Sequence, residues 1–403
     1  MHVVVIGAGV IGVTSAYYLS QLGCRVTVVD RAADVADEAS YGNAGQLSYS
    51  FTDALAKPEF VKKIPGLVAG YDSAYQVRLR PDLVPWGMRF LSQCTKTRAA
   101  ENTVAVLKTA LRSEKLMQDL RDELPFDFAH RKAGKLVLLG SEADAEAARN
   151  TAALKEEHGC KTEILTREAA VELEPALSDM QGDFVAAVYS ERDSVADSHA
   201  FCKGLKDMLD RSGRVDFRLG STVRRLIKNG SRIDAIELDD GQLSADAFVI
   251  CTGAWSGELL RPLGVDPHIY PVRGYSVTLP PGPSAPEVSV TVLNRKIVFS
   301  RINGSVRIAG FADFLGFSEE GDDDRIATLI EVARDYAPLA ADYDGAEPEA
   351  WGGFRPMTPD GQPRVEQSAV DGLYLNTGHG MLGWTLACAS GHDIARLVAE
   401  PTH

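Results

Sequence analysis

The residues most ready for chemistry are a run of closely spaced glycines, Gly7-Ala8-Gly9-Val10-Ile11-Gly12, between two short β-branched segments. Val3 to Ile6 leads into the run, a helical pattern extends from Val13 to Leu22 and closes at Gly23, and a second strand, Arg25 to Val29, ends in Asp30. Strand, glycine turn, helix and strand at this spacing form the unit that cradles a dinucleotide. Gly7 makes the tight turn, Gly9 lets backbone approach a pyrophosphate, and Gly12 lets the helix sit close to the strand. The helix N-terminus, with Val10 and Ile11 in its first turn, offers free N–H groups and partial positive charge to the phosphates. Asp30 stands 18 residues beyond Gly12, where a carboxylate accepts from both ribose hydroxyls and disfavours a 2′-phosphate. The unit by itself leaves NAD and FAD both open.

Two more segments suit a cofactor. Residues 38–48 read EASYGNAGQLS, a small, polar loop whose backbone can wrap a long ligand, where a nicotinamide enzyme would normally add another βα unit. Near the other end, the strand Leu373-Tyr374-Leu375 runs into Asn376-Thr377-Gly378-His379-Gly380-Met381-Leu382-Gly383, and a helix follows from about Trp384 to Glu400. A second helix N-terminus aimed at the same cofactor would stabilise negative charge on it. His379 either touches that cofactor or fills the turn. Between Trp351 and Gly361 the chain is dense in turn residues around a single arginine, Arg355. Arginine is the planar fork that grips a carboxylate with two parallel bonds.

Other chemistries find less support. The eight histidines show no HxH or HExxH spacing, so no metal site is expected, and no GxSxG elbow is present. The six cysteines are scattered without a CxxC pair and read as reduced thiols; Cys251 and Cys388 lie in apolar surroundings and suit a core. A net charge of −14 argues against a nucleic-acid partner.

The elements that must position these residues follow from periodicity. The chain has 403 residues, 45% hydrophobic and 24% charged, an ordinary globular balance that suggests two or three domains. Glycine is over-represented, at 36 residues. Thr103 to Glu123 is an amphipathic helix, and Lys135 to Leu139 a strand. A strand meander is expected from Val215 to Cys251, ending in Thr252-Gly253-Ala254, another place for backbone to pass a ligand. Strands between Ser276 and Ala312 suggest an antiparallel sheet of their own. Residues 57–98 mix Lys62, Lys63, Arg78, Arg80, Arg89, Lys96 and Arg98 with Trp86, Met88, Phe90 and Leu91. That stretch suits either an anionic membrane surface or acceptor protein, or a solvated face over a core helix. No apolar run reaches ~18 residues, and no charged segment precedes an apolar one, so a cytoplasmic protein is expected, touching the inner membrane at most peripherally.

Taken in order, VVVIGAGVIGVTSAYYL…VVD, SYGNAGQLS, YPVRGYSVTLP, GGFRPMTPDGQP and NTGHGMLGWTLACASG resemble the FAD-dependent D-amino-acid dehydrogenases. These belong to the wider superfamily of D-amino-acid, glycine and sarcosine oxidases. The resemblance spans nearly the whole chain. It implies an α/β architecture with an α+β second domain: a Rossmann-like FAD-binding domain from residues 1–55, 180–265 and 345–403, and a discontinuous antiparallel-sheet substrate domain from 56–179 and 266–344. By resemblance, Gly7, Gly9, Val10, Ile11 and Gly12 face the pyrophosphate, Asp30 the adenosine ribose, and Arg31 follows as a basic neighbour. Ser40, Asn43, Ala44, Gly45 and Gln46 run along the flavin. Val223 meets adenine through its backbone, Thr252 and Gly253 turn near the phosphates, and Gly378, Gly380, Met381, Leu382, Gly383, Trp384 and Thr385 surround the flavin pyrimidine. Arg355 pairs with the substrate carboxylate, with Tyr275 and His379 as further catalytic contacts.

The implied reaction is oxidative deamination of a D-amino acid to a 2-oxo acid and ammonia, by hydride transfer from Cα to flavin N5, with electrons passed to a quinone or other carrier. D-proline or cis-4-hydroxy-D-proline as substrate, a peroxide-producing oxidase, and a non-catalytic FAD subunit docking a partner through residues 57–98 are the rival readings. Glycine oxidases carry an arginine where this chain has Met381. Sarcosine oxidases hold flavin through a cysteine, and none lies between Cys251 and Cys388, so non-covalent FAD is expected.

Overall fold

The first βαβ unit forms where the glycine spacing puts it. In the computed structural model, which describes residues 1–400, His2–Ile6 and Arg25–Val29 lie in parallel register with the Val10–Gln21 helix between them. They belong to a six-stranded sheet ordered Arg364–Gln367, Leu373–Thr377, Ala247–Ile250, His2–Ile6, Arg25–Val29, Val215–Arg218. All neighbours are parallel except the edge strand Arg364–Gln367. Such a sheet is buried on both faces, which is why its strands read as continuous runs such as Val3-Val4-Val5-Ile6. One face packs the helices Val10–Gln21, Ser198–Ser212 and Gly383–Ala399. The other packs a three-stranded antiparallel sheet, Val223–Asn229, Arg232–Leu238 and Gly241–Ser244. The expected single meander from Val215 to Cys251 is thus divided between two sheets.

The Val10–Gln21 and Gly383–Ala399 helices lie unusually close. A Cβ on Gly391 would stand 3.0 Å from the Thr14 carbonyl carbon, and the Thr14 hydroxyl donates to Ala387 O. Two helix N-termini therefore open side by side at the carboxyl ends of the parallel strands, the usual ligand crevice of such sheets.

A second sheet of nine strands runs Glu349–Met357, Tyr270–Leu279, Ser305–Phe314, Ile297–Ile302, Ser289–Val292, Lys135–Leu139, Ala186–Ser190, Glu163–Thr166, with Tyr75–Val77 added to Ser305–Phe314. It is larger and more mixed than expected, since Lys135–Leu139 joins Ser289–Val292 in parallel and Tyr75–Val77 joins Ser305–Phe314 in parallel. Ala186–Ser190 and Glu349–Met357, which fall within the stretches 180–265 and 345–403, hydrogen-bond into this sheet. Residues 351–357, expected as a turn, form an edge strand paired with Tyr270–Leu279. Its glycines serve packing rather than turning: a Cβ on Gly352 would meet the Arg273 guanidinium and the Asp322 carboxylate, each at 2.9 Å. Pro356 is tolerated because the strand has a free edge. The helix expected at Thr103 begins earlier, at Lys96, where the Thr95 side chain accepts from Arg98 N–H and caps it.

Candidate active site

A cavity of about 670 Å³ lies between the carboxyl ends of the parallel sheet and one face of the nine-stranded sheet. At one end stands the glycine turn. Gly7 has φ +109°, open to glycine alone, and a Cβ there would sit 2.5 Å from Cys251 O. A Cβ on Gly12 would overlap Gly7 O, so this glycine closes the turn from beneath and does not itself line the cavity. Gly9, Val10 and Ile11 do line it. Val10 N–H donates to Ser40 Oγ, which ties the 38–48 loop to the helix end. Asp30 accepts from Ala8 N–H at 2.5 Å and Ala32 N–H at 2.8 Å, one on each oxygen, leaving the remaining lone pairs for hydroxyls. Burial raises its pKa against these two backbone bonds. Arg31 pairs with Glu38 and stacks 4.3 Å over the Trp255 ring; Val223, Thr252 and Gly253 complete this end.

The middle of the cavity is walled by the polar loop and the second helix N-terminus. Asn43 donates to Ser198 Oγ and accepts from Gly45 N–H, which holds the loop in shape. Asn43, Ala44 and Gln46 line the cavity, as do Gly380, Met381, Leu382, Gly383 and Trp384. Gly45, Gly378 and Thr385 stand behind this wall. Gly45 abuts Ile302, Gly378 abuts Thr358, and the Thr385 hydroxyl accepts from Ser48 N–H at 2.9 Å. Asn376 Oδ1 and His379 Nε2 are buried without a hydrogen-bond partner among the described residues, and both residues line the cavity. Unsatisfied buried polar atoms in a wall of exposed backbone are what a polar, multi-ring ligand would satisfy. This wall, together with the glycine cradle and the Asp30 carboxylate, fits FAD.

Arg355 projects from the edge strand into the opposite wall. Its guanidinium lies flat on Gly274 and donates to Phe311 O at 2.6 Å and Gly310 O at 3.4 Å. Phe311 presents that carbonyl because the Ser305–Phe314 strand is bulged there, with Phe311 at φ +59°. Bulges of this kind re-aim groups beside functional sites. Among the described residues, Arg355 forms no ion pair. Burial lowers its pKa, with the Asp313 charge opposing. A desolvated guanidinium without a carboxylate is a site waiting for one.

The neighbouring carboxylate is already committed. Asp313 is fully buried and bridged by Arg325 at 2.8 and 2.9 Å, and it accepts from the Tyr275 hydroxyl at 3.0 Å. The structure therefore places Tyr275 in the cavity wall with its hydroxyl spent on Asp313, which with burial raises its pKa. His379 is 3% exposed, and burial pulls its pKa down to about 3, so it is a neutral imidazole at ordinary pH. Tyr75 and Lys135, which also line the cavity, gave no signal in the sequence. Each opens a short strand, Tyr-Gln-Val and Lys-Leu-Val-Leu-Leu, with no motif around it. Cys251 and Cys388 are buried, with pKa values raised to about 12 by desolvation.

Residues 2–397 match the family described as DAO, FAD dependent oxidoreductase. The chain belongs to this family. Among curated relatives it is 39% identical over 415 residues to D-amino acid dehydrogenase 2 of Ralstonia nicotianae, covering 99% of this chain and 97% of that protein. It is 37% identical over 408 residues to D-amino acid dehydrogenase of Dechloromonas aromatica, with the same coverage. Among solved structures, glycine oxidase from Bacillus cereus superposes with a TM-score of 0.73 at 21% identity, over 100% of this chain and 96% of that one. FAD-bound L-alpha-glycerophosphate oxidase from Mycoplasma pneumoniae superposes with a TM-score of 0.74 at 17% identity, over 98% and 94%. These two likenesses share the fold; the family match makes this an FAD-dependent oxidoreductase.

Proposed function

We propose that the chain oxidatively deaminates D-amino acids to 2-oxo acids and ammonia and passes the electrons to a quinone or comparable carrier. The observation that carries this reading is Arg355, a desolvated guanidinium that forms no ion pair among the described residues and opens into the same cavity as the FAD cradle. The names of the curated relatives support the choice of D-amino acids. Bound FAD supplies the two-electron acceptor for the hydride. The protein's part is orientation: Arg355 holds the substrate carboxylate, Tyr275 and Tyr75 close the wall beside it, and the cavity shelters the reacting carbon from water. The six-stranded sheet with its helices serves as the cofactor-binding domain and the nine-stranded sheet as the substrate domain. Cofactor contacts are assigned to Gly7, Gly9, Asp30, the 40–46 loop and the 379–384 turn.

Electrons leave, on this reading, at a cytoplasmic membrane surface. The helices Pro58–Val68 and Leu83–Gln93 expose Val61, Val68, Val84, Met88 and Leu91 beside Lys62, Lys63 and Arg89, a basic and apolar face on an acidic chain. Trp86 and Phe90, by contrast, point inward and stack at 5.2 Å. Among the described residues no helix is long and apolar enough to cross a membrane.

The test is anaerobic bleaching of the flavin absorbance with a panel of D- and L-amino acids and secondary amines. Bleaching by D-amino acids is expected. Protein that is colourless and cannot be reconstituted with FAD, or that is bleached only by L-isomers, would overturn the reading.

A further inference from the structure

The cavity continues past Arg355 to a second cation. Lys296 lines it from the end of the hairpin turn between Ser289–Val292 and Ile297–Ile302. Its carbonyl accepts from Phe311 N–H at 3.4 Å, and Phe311 O is the oxygen that receives the Arg355 guanidinium. Lys296 and Phe311 thus face each other across neighbouring strands, ~4.8 Å apart, and the guanidinium lies on Phe311's other side, over Gly274. The Ile297–Ile302 strand stops here, and Tyr75–Val77 takes its place beside Ser305–Phe314, with Tyr75 opposite Ala312. Between the two cations the cavity wall is Val298, Ala309, Phe311 and Ala312, all apolar.

Two observations give Lys296 a task beyond ending a turn. Its φ is +56°, a left-handed conformation in which a hairpin turn ordinarily carries glycine or asparagine. Lysine gains nothing from that backbone, so the side chain accounts for its presence. Its Nζ is also uncommitted. It donates to Leu293 O at 2.8 Å, which leaves two N–H groups of the ammonium to give. Among the described residues no carboxylate lies within ion-pair distance of it, whereas Lys57 in the same cavity pairs with Asp53 at 3.1 Å. The charges around Lys296 are Lys63 of the Pro58–Val68 helix, Asp72 of the turn before Tyr75–Val77, and Asp144 of the Glu142–Glu156 helix. Asp72 already accepts from Ala74 N–H at 3.0 Å.

We propose that Lys296 receives the side-chain carboxylate of an acidic D-amino acid, D-aspartate or D-glutamate, while Arg355 holds its α-carboxylate. The inference rests on the D-amino-acid reading above and names a substrate class within it. The α-carboxylate meets the planar fork, the side chain crosses the apolar wall of the Phe311 strand, and the second carboxylate accepts from the ammonium. A neutral side chain leaves Lys296 on Leu293 O, so neutral D-amino acids remain substrates. A basic side chain meets Lys296 and Lys63, with Asp72 as its single counter-charge there.

The test measures kcat/KM of the holoenzyme, normalised to flavin content, for D-glutamate, D-aspartate, D-alanine and D-lysine. Wild type should favour the acidic pair over D-lysine. In Lys296→Met the ratio of D-glutamate to D-alanine should fall about tenfold to a hundredfold, through KM, the scale of one hydrogen bond to a charged group. Lys296→Arg should retain most of the ratio, and Lys296→Glu should turn the preference towards D-lysine. Independently of turnover, glutarate should perturb the flavin absorbance at lower concentration than pentanoate does, a difference that Lys296→Met removes. An unchanged ratio in Lys296→Met overturns the proposal, as does a wild type that prefers D-lysine, which would make Asp72 the side-chain contact. If no D-amino acid bleaches the flavin while glutarate still outcompetes pentanoate through Lys296, the functional reading fails and the dicarboxylate site stands.

Discussion

Gly274 lies directly beneath the guanidinium of Arg355, and a Cβ at position 274 would overlap Cζ. The arginine is seated on bare backbone, and its two hydrogen bonds to Phe311 and Gly310 depend on that seat. Gly274→Ala should fold and bind FAD with normal stoichiometry, because the residue is in an extended strand and far from the glycine cradle. It should displace the fork and weaken a charge-assisted contact worth about 1.5–3 kcal/mol, so that KM for a D-amino acid rises roughly tenfold to a hundredfold. Arg355→Ala should do more, and Arg355→Lys should not rescue it, since an ammonium cannot span a carboxylate with two parallel bonds. Steady-state kinetics normalised to flavin content check this; an unchanged KM in both Gly274→Ala and Arg355→Ala would remove Arg355 from the carboxylate.

Asp30 offers a second, separable measurement. Its carboxylate is buried, and burial raises its pKa above the ordinary carboxylate value despite bonds from Ala8 and Ala32. The charged form, to which the ribose hydroxyls are assigned, is therefore lost earlier than usual as pH falls. FAD affinity should weaken on the acid side, beginning above the ordinary carboxylate range, as followed by the fluorescence of released flavin. Asp30→Asn should bind FAD about tenfold more weakly at neutral pH, the scale of one hydrogen bond to a charged group, and should lose the acid dependence. A variant with the wild-type acid profile would show that another group sets it.

How much of this was legible in the sequence depends on whether a signal was local. The Gly7–Asp30 unit was readable because each residue's task is set by neighbours within thirty positions. Arg355 stands out in the sequence, but its strand reads there as a turn, because Gly352 and Gly353 look like turn residues; Gly352 instead clears space for Arg273 and Asp322, distant in sequence, and Gly353 for the Trp351 ring. Lys135 was invisible for the same reason. Within Lys-Leu-Val-Leu-Leu it is simply the polar start of a strand, and its partners Gln46 and Ser48 lie 89 and 87 residues away. The bulge that turns the Phe311 carbonyl towards Arg355 depends on strand register, which no local pattern encodes.

Asp53, at the end of the 46–53 segment, is tied by a buried ion pair to Lys155 of the Glu142–Glu156 helix, which predicts how the segment responds to acid. Burial alone would raise the Asp53 carboxyl, but Lys155 and Lys57 outweigh it and hold the group well below the usual range. A depressed carboxylate adds stability above its unfolded pKa of ~3.9 and loses it as pH falls through the folded value. Lys155→Met should strand Asp53 with the more exposed Lys57 alone and cost about 3–5 kcal/mol at pH 7, with Asp53→Asn in the same chain recovering part of the loss. Thermal melts should show the gap between wild type and Lys155→Met narrowing at acid pH. A constant gap from pH 7 to pH 3 would mean that Lys155 acts through packing and not through the charge of Asp53.

The thiols report whether the glycine turn closes as described. Cys24, Cys160, Cys202, Cys251 and Cys388 are buried, and only Cys94 is partly exposed, with its S–H donating to Phe90 O at 3.3 Å. The thiolate is the reactive form, and burial pushes Cys251 and Cys388 up to about 12. In the folded holoenzyme at pH 7.5, an aromatic disulfide reagent should therefore react slowly with at most one thiol, Cys94. All six should react after denaturation in guanidinium. Cys251 is the informative one, because it lines the cavity beneath the Gly7 and Gly12 turn. Its labelling should be faster in FAD-free protein than in holoenzyme if, as proposed, the pyrophosphate sits on the Gly7–Gly12 turn above it. Rapid labelling of Cys251 in the holoenzyme, located by mass spectrometry, would show that the turn does not shield that strand end and would move the cofactor's phosphates away from it.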